Sequence, residues 1–140
     1  MNKKSLTEAD IRTKFITPAL IGPDGCKWDV MTQIREEVFF TKGRVMVRGK
    51  IVKRGEAKKA DYLLFYRPNL PLAVLEAKDN NQTVGAGMQQ ALEYAEILDI
   101  PFAYSSNGDA FLEHPPVDAP FRLRLRRVPA AFSGRRRGRP

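Results

Sequence analysis

The chain has 140 residues, 43% of them hydrophobic and 29% charged, which suits one globular domain with a real core. No run approaches the ~18 apolar residues of a membrane span, and the start "MNKKSLTEAD" lacks the apolar stretch of a secretory signal. A single cysteine, Cys26, excludes an intramolecular disulfide and fits a cytoplasmic protein. The net charge of +8 is local: residues 121–140 hold eight arginines and no acid, so residues 1–120 carry 16 basic residues against 16 acidic ones.

"SLTEADIRTKFITPALI" predicts the first helix, with Ser5 and Glu8 spaced as a capping box. Ile11, Phe15, Ile16 and Ala19 follow helical spacing, and Glu8 falls on the side of Ile11, Phe15 and Ala19. "GPDGCKWD" is a loop by its Gly, Pro and Asp content. "VFFTKGRVMVRGKIVKR" predicts two strands around Lys42-Gly43, with Val45, Val47 and Ile51 on one face. "ADYLLFYR" is an apolar strand opened by Asp61, and "RPNLP" breaks it.

"PLAVLEAK" is the next strand, apolar on both faces and therefore central in a sheet. "VGAGMQQALEYAEILDI" gives a helix after a Gly-rich entry, with Met88, Leu92, Ala95 and Leu98 as its core stripe. "PFAYSSNGDAFLE" reads as strand, turn and strand. The order implies an α/β fold, a mixed β-sheet flanked by helices.

Glu76 and Lys78 share one face of their strand by alternation. If the strand of Asp61 pairs with it, two carboxylates lie side by side, with Lys78 the one evident counter-charge. Adjacent carboxylates repel unless a cation sits between them. Mg²⁺ suits such oxygen ligands, and the backbone carbonyl of Ala77 offers another. A bound metal lowers the pKa of a water and neutralises charge on a phosphate. Lys78 stabilises that developing charge. The combination suits phosphodiester hydrolysis better than acyl or glycosyl transfer.

Gln90 and Tyr94 stand one turn apart on the next helix, off the expected core stripe, and both can donate hydrogen bonds to a phosphate. Taken singly, an acid-x-Lys triplet is commonly the charged end of a strand, and a Gln-x-x-x-Tyr pair is commonly helix surface. One histidine and one cysteine do not make a zinc site.

The stretches "ADYLLFY", "AVLEAKDN" and "MQQALEYAE", in this order, resemble the PD-(D/E)xK nuclease superfamily. More closely, the chain resembles the N-terminal nuclease domain of the R subunit of type I restriction enzymes over most of residues 1–113. The resemblance implies a restriction-endonuclease-like fold and a Mg²⁺-dependent centre of Asp61, Glu76 and Lys78 that hydrolyses double-stranded DNA. Glu8 maps to an acid that often joins the metal site, and Gln90 and Tyr94 to a motif that supports DNA contact. It also implies M and S subunits as partners and ATP use by a motor that follows the nuclease domain. This chain has no Gly-x-x-x-x-Gly-Lys-Ser/Thr loop.

The resemblance stops near His114, dividing a nuclease domain, 1–114, from a Pro/Arg-rich tail, 115–140. The tail's abrupt composition points to disorder and to a frame-shift or truncation, a genuine phosphate-binding arm being the alternative. Two rival functions stay open: a non-catalytic nucleic-acid-binding remnant, and a nuclease of DNA repair or recombination.

Overall fold

The computed structural model describes residues 2–25, 27–42, 44–45, 57–116 and 124–128. Their strands are β1 (Ile34–Thr41), β2 (Arg44–Val45), β3 (Lys58–Arg67), β4 (Leu70–Ala77), β5 (Phe102–Ser106), β6 (Ala110–His114) and β7 (Arg124–Arg127). They form one seven-stranded sheet in the order β2-β1-β3-β4-β5-β6-β7. Only β4 and β5 run parallel, so the sheet is mixed, and β4 occupies its centre as its two apolar faces require. Val47 and Ile51 lie outside the described residues.

Two apolar clusters mark the two faces of the sheet. On one, α3 (Met88–Leu98) covers Leu63, Phe65 and Val74. On the other, the N-terminal helical segment covers Tyr62, Leu64 and Leu75. The result is a helix–sheet–helix sandwich. Among the described residues no helix is long and apolar enough to cross a membrane.

The N-terminal segment departs from a single helix. It comprises a 3-10 turn (Lys3–Ser5), α1 (Glu8–Ile11), a π-helical stretch (Arg12–Ile16) and α2 (Thr17–Ile21). Pro18 is the cause we assign: it has no N–H for the Lys14 carbonyl, and its ring would clash there in an α-helix. The π stretch, closed by the Thr17 N–H on the Arg12 carbonyl, winds more slowly. In an α-helix Ile11 and Ile16 would stand about 140° apart; here both are fully buried.

The cap also differs from expectation. Ser5 belongs to the preceding turn, where its hydroxyl donates to the Asn2 carbonyl (2.6 Å). Thr7 is the true N-cap, and Asp10 completes its capping box. Glu8 is thereby released from capping.

β3 and β4 form a hairpin closed by Pro68 and Asn69, with Arg67 opposite Leu70. Asn69 takes φ +65°, a conformation that asparagine tolerates. The β5–β6 turn needs Gly108 at φ +87°, where a Cβ would come within 2.9 Å of Ile11. The turn is thus packed directly on α1.

Residues 124–127 fall in the segment expected to be disordered, yet they form β7. It pairs antiparallel with β6, with Leu125 opposite Leu112. The physical reason is the edge: β6 would otherwise present unpaired backbone groups, and "RLRR" has an extended, alternating pattern.

Candidate active site

The centre of the site is the pairing of β3 with β4. Tyr62 faces Leu75 and Leu63 faces Val74, so Asp61 stands at the level of Glu76. Their carboxylates are tied reciprocally to the opposite strand. The Ala77 N–H donates to Asp61 Oδ2 (2.8 Å), and the Asp61 N–H donates to Glu76 Oε1 (3.2 Å). The expected juxtaposition of Asp61 and Glu76 is therefore present.

Glu76 is 2% exposed. Burial, and then the adjacent Asp61 carboxylate, push its carboxyl up to about 9. Lys78, half-buried just beyond the end of β4, pulls the other way. Its own backbone N–H donates to the Ser106 carbonyl (2.9 Å), which fixes the chain where it leaves the sheet.

Glu8 is half-buried at the start of α1. Burial first, and then Asp61, raise its pKa, while Lys78 and Arg12 oppose the rise. It belongs to the same electrostatic neighbourhood. Among the described residues no three acids, histidines or cysteines gather closely enough to hold a metal together.

Arg12 joins Lys78 as a second positive charge. Burial would lower its pKa, but Asp61 and then Glu37 outweigh it and leave the guanidinium more firmly charged. Sequence reasoning missed Arg12, although its i, i+4 spacing from Glu8 on one helical face was a usable signal.

Gln90 and Tyr94 are joined to one another, the Gln90 amide donating to the Tyr94 hydroxyl (2.7 Å). Tyr94 is not off the core stripe as expected. It is 6% exposed and packs edge-on against Phe40, with ring centroids 4.9 Å apart. The stripe is wider than the four positions foreseen and includes Ala91 and Tyr94. Among the described residues, neither member of the pair is hydrogen-bonded to Asp61, Glu76 or Lys78.

The Gly-rich entry to α3 has a steric purpose. A Cβ on Gly87 would lie 3.0 Å from Ser105 Oγ and 3.1 Å from Glu76 Cβ. Ser105, paired with Glu76 across β4 and β5, accepts the Gly87 N–H (3.0 Å) and donates to the Val84 carbonyl (2.7 Å). Beyond Lys78, Asn80 donates to the Asn107 carbonyl (2.9 Å), and Asn107 donates to the Gln82 carbonyl (2.8 Å). These buried amides hold the loop that carries Lys78. Their position just after a central strand was the only hint of them in the sequence.

No family model matches the chain. It is 49% identical over 112 residues to the type I restriction enzyme EcoAI endonuclease subunit of Escherichia coli. That match covers 80% of this chain and 14% of the relative. It is also similar to a solved fragment of an HsdR subunit of a type I restriction enzyme from Vibrio vulnificus YJ016. There the TM-score is 0.68 and the identity 46%, over 86% of this chain and 23% of the other. The chain thus spans a small part of each protein it matches, and its relatives are endonuclease (HsdR) subunits of type I restriction enzymes.

Proposed function

We propose that the chain is the nuclease part of a type I restriction endonuclease subunit, with a PD-(D/E)xK fold, acting in the cytoplasm on double-stranded DNA. The observation that carries the reading is the Asp61–Glu76 pair, locked across β3 and β4 with Lys78 at the strand end. The relatives supply the restriction context. Recognition and methylation would fall to M and S subunits, and ATP use to a motor.

The donor set fits Mg²⁺ in its chemistry. Two carboxylates brought together in a buried place are what a hard divalent cation relieves; the pKa of Glu76 is raised by burial first and by the neighbouring Asp61 carboxyl second. Asp61 and Glu76 would hold the ion, with the Ala77 carbonyl as a further donor. When bound, it supplies a water of lowered pKa and neutralises phosphate charge.

The chain's own groups do the rest. Lys78 donates to the attacking water and to the phosphate as negative charge builds there. Gln90 donates to the Tyr94 hydroxyl, and the half-buried Gln90 is the member of the pair that would meet DNA, with the buried Tyr94 holding it in place. Glu8 adds negative charge at the margin of the site.

Calorimetric titration with Mn²⁺ tests the reading. Wild type should show a site that disappears in Asp61→Ala, both proteins remaining folded by circular dichroism. Equal binding by the two would overturn the assignment and favour a non-catalytic nucleic-acid-binding protein.

A further inference from the structure

We propose that Arg12 and Lys59 form a binding site for a DNA backbone phosphate beside Asp61, held closed in the DNA-free protein by the carboxylate of Glu37. The inference rests on the nuclease reading for its ligand, and on four observations of its own.

The first is position. Glu36 pairs with Tyr62 and Val38 with Ala60, so Glu37 stands opposite Asp61 across β1 and β3. Glu37, Asp61 and Glu76 therefore form one row across three neighbouring strands. A phosphate at this place is a neighbour of one at the Asp61–Glu76 pair.

The second is the bridge. Glu37 Oε1 lies 3.3 Å from Arg12 Nη2 and 3.4 Å from Lys59 Nζ. One carboxylate oxygen between two cations has the charge pattern of a phosphate oxygen between the same cations. Both contacts are long, and Glu37 and Lys59 are exposed, so a competitor meets little resistance.

The third is backbone cost. Glu37 takes φ +51°, which a glutamate rarely adopts. Across it β1 changes phase: Ile34 packs with Tyr62 and Leu64, whereas Val38 and Phe40 pack with Leu63 and Phe65. The turn in the backbone aims this carboxylate at the two cations.

The fourth is an open valence. Arg12 Nε is buried and has no hydrogen-bond acceptor among the described residues. The Arg12 side chain is only 14% exposed, so an unmet donor there is costly. A phosphate offers several acceptor oxygens where Glu37 offers one in contact, and the forked guanidinium suits it.

The test reads the Arg12 Nε–Hε group by ¹⁵N NMR while a short DNA duplex is added to the full chain at low salt. The signal should move on binding. In Glu37→Gln the half-saturating duplex concentration should fall about three- to five-fold, the scale of one exposed ion pair released. Glu96→Gln, which removes an equal charge from α3, should leave it unchanged. Glu37→Asn serves if the glutamine variant does not fold, since asparagine tolerates positive φ.

An Arg12 signal that stays still while the backbone signals of the Arg-rich tail move would overturn the proposal. So would equal effects of the Glu37 and Glu96 changes, which would mean general charge alone. The Mn²⁺ titration on the same samples separates the two readings. Intact Mn²⁺ binding with a silent Arg12 removes only the phosphate site. A responsive Arg12 without Mn²⁺ binding removes the metal-dependent nuclease and keeps the phosphate site.

Discussion

Glu76 is the residue that the fold treats most harshly. Its carboxyl is buried beside another carboxylate and held up to about 9 against an ordinary value of 4.5. An acid whose folded pKa exceeds its unfolded one keeps its proton longer in the native state. The metal-free protein is therefore stabilised by that proton below pH ~4.5 and loses the contribution as pH rises toward ~9. We expect its melting temperature to fall across this range, and Glu76→Gln to flatten the slope and melt higher at pH 8. A wild-type curve with no decline would show that Glu76 sits comfortably ionised. The acid-x-Lys spacing made this pair visible in the sequence, since strand alternation alone sets Glu76 and Lys78 on one face. Arg12 and Glu37 were not visible as partners: their meeting depends on a positive φ and a π-helical turn, which residue spacing does not encode.

At the scale of elements, the approach of α3 to β4 controls the site. The helix begins where Gly87 meets the backbone and Cβ of Glu76, and a side chain there would press on both by a few tenths of an ångström. Gly87 has φ −89°, so an alanine there would be conformationally unstrained. The cost of Gly87→Ala is overpacking, about 1–3 kcal/mol. The substitution should lower thermal stability and weaken Mn²⁺ binding together, because the pressure falls on Glu76. Loss of neither would mean that α3 shifts freely. The strands and α3 were legible because period-2 and period-3.6 patterns are strong there. The N-terminal segment was legible as helical but not in its register, because Thr7–Asp10 and Ser5–Glu8 are equally good caps on paper. The tertiary placement of Ile11 and Ile16, both buried in the cluster that includes Tyr62, decides between them.

For the whole molecule, the sheet reaches into the segment of unusual composition. β7 covers the edge of β6 through four residue pairs, and the Val128 N–H donates to the Asp109 carbonyl (2.9 Å). Ending the chain after residue 116 should therefore cost about 1–3 kcal/mol, at roughly 4 °C per kcal/mol for this size. An unchanged melting temperature would mean that β7 contributes nothing to stability. The same cut removes eight arginines and Asp118, which is nearly all of the excess positive charge, so salt-sensitive DNA affinity should drop with it. Two sequence signals conflict here: Arg and Pro content argues for disorder and the alternation in "FRLRLRR" for a strand, and the unpaired edge that recruits "RLRR" exists only once β6 is in place.

The reciprocal tie between β3 and β4 makes two amides into built-in reporters. The N–H groups of Asp61 and Ala77 each end on the carboxylate that the other strand contributes. Anything that draws those oxygens away loosens both protons at once, without any DNA or bond cleavage. Their hydrogen exchange, followed in two otherwise protected central strands, is a direct gauge of what occupies the carboxylates.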